Sequence, residues 1–358
     1  MLRRGPATSL HRSLSAAGGV GVGALAGYVF SRLHTPIPWM LGPLLTLAVL
    51  RVFRAPLTAP RGARQLGQWV VGTALGLYFT PAVVQAVAGL WWMLLAAALF
   101  ALANGYTTGS VLARLARIDR TSAMFASVPG GAAEMANLGE RYGARVDFVA
   151  AAQSVRILVV VLLLPTAFTL LGLHGRDPYV SGTTRFDAAG FAFLMLATLA
   201  GSLVASKLRL PNAFVLGSLA VAIPLTASAV DLSTVPTLAS NAAQCLLGCS
   251  LGARFGPEFL HGAHRFLGAV LGSILLGIAL SVAFGLVLAW LSSSDPATLV
   301  LGTSPGGIAE MCITAKALQL GVPLVTACHV ARVVVLLLST GPVLGRAVGS
   351  YSRRAPAR

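Results

Sequence analysis

The sequence predicts an all-α polytopic membrane protein built as two homologous, inverted repeats. Each repeat is expected to hold about five transmembrane helices plus one helix broken or turned back at a P-G-G. Three observations carry that prediction. The 358 residues are 56% hydrophobic and only 10% charged, with a mean hydropathy of +0.82, whereas soluble domains carry about 25% charge. Long apolar runs recur, as at 82–103, 155–173, 188–205 and 266–291, each long enough or nearly so to cross roughly 30 Å of hydrocarbon as a helix. Residues 127–135, S-V-P-G-G-A-A-E-M, recur as T-S-P-G-G-I-A-E-M at 303–311, displaced by 176 positions.

Along the chain, residues 1–14 form a basic N-terminus with Arg3, Arg4 and Arg12, ahead of an apolar run from Ala16 to Phe30. This start resembles a signal peptide. It reads instead as an uncleaved first span, because Ala26-Gly27 through Pro36 to Leu41-Gly42 has an internal counterpart at Ala200-Gly201 through Pro211 to Leu216-Gly217. The first membrane repeat takes 15–175, a polar linker 176–186, the second repeat 187–350, and a basic tail 351–358. Matches at the same offset of 176 include Gln68 with Gln244, Gly72 with Gly248, Gly76 with Gly252, Phe79 with Phe255, Asp119 with Asp295, and Arg156 with Arg332. Matching loop lengths, without insertions, are what duplication predicts.

Loop charge bears on orientation. Arg51, Arg54, Arg61 and Arg64 in one loop, and Arg114, Arg117 and Arg120 in another, mark the cytoplasmic side of the first repeat. The corresponding loops of the second repeat hold only Asp231 and Asp295, while its alternate loops hold Lys207, Arg209, Arg254 and Arg265. The bias changes sides, as inverted repeats require. Inversion needs an odd number of crossings per repeat, so each P-G-G segment is expected to be re-entrant. Twelve full spans in parallel repeats is the alternative. The placement expected is a bacterial inner membrane, with both termini cytoplasmic.

Pro129-Gly130-Gly131 and Pro305-Gly306-Gly307 should end one helix and let another begin, because proline lacks a donor and clashes with the preceding turn. Freed backbone groups are tolerated in a membrane where they face protein or a water-filled cavity. Such half-helix ends form substrate and ion sites in secondary transporters. Glu134 and Glu310 sit about three residues into the new helices. An intramembrane carboxylate is a proton or cation site by default; the competing readings are a cap on its own helix or a structural ion pair. Arg156 and Arg332 lie in the following apolar helix, with Gln153 and His329 three residues earlier on the same face. Each arginine should meet an anion, either Glu134 or Glu310, or a substrate carboxylate held in bidentate fashion. His329 reads equally as a proton relay or a hydrogen-bonded packing residue. Gly72-x-x-x-Gly76 and Gly248-x-x-x-Gly252 read as close helix packing.

Other classes are disfavoured. The net charge of +16 comes from arginines dispersed among loops and termini, not gathered on a nucleic-acid-binding face. Cys245, Cys249, Cys312 and Cys328 show neither a zinc spacing nor a disulfide framework. No nucleophile–base pair or metal set is evident, so no catalytic residue, metal or cofactor is expected, and the chain reads as a non-enzyme.

The doubled S-x-P-G-G-x-A-E-M, followed by G-V-P-L-V-T-A-C-H-V-A-R-V-V-V-L-L at 321–337, resembles the AbrB family of duplicated bacterial inner-membrane proteins over nearly the whole chain. These are distinct from the small DNA-binding AbrB regulators. Members are labelled regulators of gene expression or ammonia monooxygenases, so the resemblance implies architecture more than chemistry. An oxygenase is rejected on the residues: of the six histidines only His261 and His264 are close, in a loop, and the single Glu-x-x-His, Glu258 to His261, lacks the second copy that a di-iron site needs. The function expected is a secondary transporter of small, anionic solutes. The alternative is a membrane sensor that affects gene expression through a partner without transport. The partners expected are the lipid bilayer and a small solute or ion, with no nucleic acid; a homodimer is compatible with the plan.

Overall fold

A computed structural model describes residues 6–175, 185–230, 233–256 and 264–339. Most of the linker (176–184), Asp231, His261 and the basic tail at 351–358 lie outside the described residues. Every regular element among the described residues is an α-helix. The N-terminal half runs α1 (Pro6–Arg32), α2 (Pro38–Val52), α3 (Ala63–Gly76), α4 (Pro81–Gly89), α5 (Trp91–Ala116), α6 (Arg120–Ser127), α7 (Ala132–Arg141) and α8 (Val146–Leu170). The C-terminal half runs α9 (Ala188–Lys207), α10 (Ala213–Ala227), α11 (Thr237–Gly252), α12 (His264–Ser292), α13 (Pro296–Thr303), α14 (Ile308–Ala317) and α15 (Val322–Ser339).

The five spans expected in each half resolve into three long helices and two shorter ones. Helices α1, α5, α8, α9, α12 and α15 are long and apolar enough to cross a membrane, and the chain is therefore a polytopic membrane protein. Helices α2 and α10 have 15 residues each, about 22 Å of helix, short of a full hydrocarbon crossing. The apolar run at 82–103 is not one span. Helix α3 ends at Gly76, α4 starts anew with Pro81 at its first position and leaves at 92°, and a second break at Leu90 separates α4 from α5.

Two arrangements position the site. Helices α5 and α12 pack antiparallel: Met93 clusters with Leu288 and Ala289, Phe100 stacks on Phe284, Asn104 bonds Gly277, and Leu115 meets Arg265. Trp91 and Trp290 thus share one end of the pair, both exposed, as interfacial aromatics do. Arg114, Arg117 and Arg265 share the other.

The second arrangement is an exchange between halves. Gly72 of α3 rests against Val215 and Ser218 of α10, while Gly248 and Gly252 of α11 rest against Met40, Pro43 and Leu44 of α2. Missing side chains let backbones approach, so the glycine pairs act as the close packing surfaces expected of them. Apolar residues from both sides, among them Met40, Leu44, Val71, Leu219, Leu247 and Leu251, join one core.

Candidate functional site

Each P-G-G lies between two short helices of matching length. Helices α6 and α13 have eight residues, α7 and α14 ten, and their boundaries are displaced by the same 176 positions as the motifs. Asp119 caps α6 by accepting from the Ser122 amide at 2.7 Å, and Asp295 caps α13 by accepting from Thr298 at the same distance. The first helix of each pair stops at Ser127 or Thr303. Gly131 and Gly307 then cap the second in extended backbone. A Cβ on either glycine would run into the carboxylate three residues on, Glu134 or Glu310. Both glutamates therefore curl back over the start of their own helices, where a carboxylate favours the positive dipole end.

The arginines do something the sequence did not suggest. Arg156 Nη1 donates to the Ser127 and Val128 carbonyls at 3.2 and 3.0 Å, and its Nη2 donates to Gly130 O and to Gln153 Oε1. Arg332 Nη1 donates to Ser304 O at 3.0 Å and Nη2 to Gly306 O at 2.6 Å. Ion pairing with Glu134 or Glu310 is not found: the one ion pair among the described residues is Arg145–Asp147. The reason is the broken helix itself. Its freed carbonyls need donors, and a guanidinium supplies several in a fixed fork.

Gln153 takes part, its Nε2 donating to Phe125 O at 2.8 Å and Val128 O at 3.0 Å. His329 is fully buried and its ring nitrogens make no well-formed hydrogen bond among the described residues, although the Leu301 carbonyl interacts with the ring. The two arginine–turn assemblies are thus alike in the guanidinium and unlike in its neighbour.

The two turns meet. Pro129, Gly130 and Gly131 share one small cavity with Gly306, Gly307 and Glu310, closed by Arg156, Arg332, Arg64 and Gln68. Its volume of about 20 Å³ admits one water. Glu310 is 4% exposed there and shares the lining with Arg156 and Arg332.

Glu134 is only partly buried. It opens onto a separate cavity of about 440 Å³ with Asn137, Arg141, Arg209 and Asn212, and it accepts from the Asn212 amide at 3.1 Å. The two carboxylates therefore differ in access. Among the described residues, no group of three or more His, Cys, Asp and Glu side chains is placed to hold a metal ion.

Asn212 and Arg64 were not legible as site residues. Asn212 Oδ1 accepts from Gln68 Nε2 and Arg64 Nη2, both at 3.4 Å. Its only sequence signal was its place after Pro211. Its backbone is left-handed (φ 48°), as is Ile37 (φ 43°) at the start of α2; asparagine accepts that conformation more readily than isoleucine.

Comparison with known proteins places the chain. Residues 39–348 match the family profile described as "Transition state regulatory protein AbrB". The chain belongs to the AbrB family. It is similar to "Putative regulator AbrB" of Escherichia coli (strain K12), 28% identical over 339 residues, covering 92% of this chain and 94% of that protein. It is also similar to "Uncharacterized protein YhjN" of Bacillus subtilis (strain 168), 27% identical over 351 residues and 90% of each chain. The AbrB match begins at Trp39, inside α2, and so takes in both P-G-G turns and both arginines.

Proposed function

We propose that the protein is a secondary transporter of small anionic solutes that binds them where the two broken helices meet. The observation that carries this reading is the convergence of both P-G-G turns on one cavity lined by Arg64, Arg156 and Arg332 against a single carboxylate, Glu310. Opposed half-helix ends at a repeat interface suit such a carrier, and the excess of positive charge suits an anion. Glu134 and Glu310 take the coupling protons or sodium in this reading. The contrast between an accessible Glu134 and a buried Glu310 supports a carrier open to one side.

The same reading makes the halves inverted repeats. The antiparallel course of α5 and α12, which occupy corresponding places in the two halves, supports inversion. Arginines at one end of that pair and tryptophans at the other support a cytoplasmic face at Arg114, Arg117 and Arg265. The inner membrane is the bilayer that fits.

The test is uptake by proteoliposomes from a panel of small carboxylates and inorganic anions, with and without an imposed proton gradient. The expected result is gradient-dependent uptake of one class, lost in Glu310→Gln and in Glu134→Gln. Binding without passage of any solute would favour a second reading, a membrane sensor acting on gene expression through a partner. That reading draws on the family description and on the regulator name of the Escherichia coli relative.

A further inference from the structure

We infer that a second anion site, separate from the proposed solute site, lies behind the two P-G-G turns and holds a small monovalent ion such as chloride. A cavity of about 30 Å³ sits there between the turns and the antiparallel pair α5 and α12. That volume suits about two waters or one halide. Among the described residues, the only charged groups lining it are Arg156 and Arg332; neither Glu134 nor Glu310 reaches it. The remaining polar lining is Asn104, Thr108, Ser127, Ser273 and Thr303; Ser127 is half-buried and the other four are each at most 6% exposed.

Charge and donor accounting both ask for an anion. Two guanidiniums are buried at 6% and 4% exposure, and neither has a carboxylate within ion-pairing distance among the described residues. Buried cations are costly, and carbonyl dipoles and the Glu310 carboxylate beyond ion-pairing distance offset that cost only in part. The two groups make six hydrogen bonds, four from Arg156 and two from Arg332. Each guanidinium offers five N–H donors, so donors remain on both. Nε of each arginine is buried and makes no hydrogen bond among the described residues. Water alone would satisfy those donors and leave the charge; a halide does both.

The site predicts equilibrium halide binding that needs no transport. Purified protein in lipid nanodiscs is titrated with chloride against gluconate at constant ionic strength, reading radiolabelled chloride bound and the melting temperature. The expected result is a single saturable chloride per chain and a melting temperature that rises with it, with bromide substituting. Ser273→Leu, which fills the cavity, should abolish both effects. If that variant does not fold, Gly277→Ala replaces it, since the added Cβ comes 3.2 Å from Thr108 Cγ2 and narrows the same space mildly; it should weaken chloride binding at least tenfold. No saturable binding, or binding unchanged in the folded variant, overturns the inference and leaves water in the cavity. Chloride binding lost in Glu310→Gln but retained in the cavity variant would move the ion to the solute site and equally overturn it. Failure of solute uptake with chloride binding intact would sink only the transport proposal.

Discussion

Gly252→Ala should destabilise the protein, while the same change at Gly21 should stabilise it. Gly252 closes α11 against α2. A Cβ built there lies 2.5 Å from the Leu44 carbonyl oxygen, 2.9 Å from Leu47 Cβ and 3.1 Å from the Ala48 nitrogen. Two of those three atoms are backbone, which cannot rotate aside, so α2 and α11 must separate by several tenths of an ångström. Overpacking of this kind costs about 1–3 kcal/mol. Replacing glycine by alanine in a helix returns at most about 1 kcal/mol, and less at the last residue of α11. The net expectation is a loss of about 1–2 kcal/mol. A Cβ on Gly21 meets nothing within 4 Å, so only the propensity gain acts there. Equilibrium unfolding in mixed micelles, followed by circular dichroism, reads both variants on one scale. Changes of the same sign, or Gly252→Ala within about 0.5 kcal/mol of wild type, would refute the claim that backbone contact sets this interface.

Arg332→Met strands the carbonyls of Ser304 and Gly306, and bonds to a charged donor are worth about 1.5–3 kcal/mol each; a loss of about 3 kcal/mol in the same unfolding assay is expected after allowing for the relieved burial of the cation. Asp295→Ala removes acceptance from both the Thr298 amide and its hydroxyl (2.7 and 2.6 Å), whereas Asp119→Ala removes one amide bond, so the first should cost more than the cap's usual ~1 kcal/mol and the second about that. In a background lacking cysteine, Glu134→Cys should react with a soluble maleimide faster than Glu310→Cys; equal rates would argue against one-sided access. Reporter fusions in the loops 112–120 and 290–296 should report opposite sides of the membrane, and agreement between them would refute inverted halves.

Local chemistry was legible in the sequence. Proline at 129 and 305 ends helices for reasons that need no partner, whereas the capping role of Asp119 and Asp295 came from the structure, although short side chains cap helices best. Span boundaries were less legible. The run at 82–103 looks continuous by hydropathy, yet it is interrupted at Leu90, because an apolar composition does not distinguish one long helix from two meeting at an angle. Arg156 and Arg332 were visibly misplaced charges, but their partners were not visible. The acceptors are turn carbonyls 26 to 29 residues away, and every residue type carries a carbonyl, so no pattern of side chains marks them.

By itself the sequence determined the membrane class, the family and the two places where helices break, since hydropathy and the geometry of proline and glycine act within a few residues. Tertiary structure decided that the breaks face one another, that arginines and not glutamates complete them, and that Glu134 is accessible while Glu310 is buried. Those outcomes depend on contacts between residues far apart in the chain, such as Glu134 with Asn212 and Asn104 with Gly277. The packing of α2, α3, α10 and α11 at their glycines, and the antiparallel pairing of α5 with α12, bring such residues together.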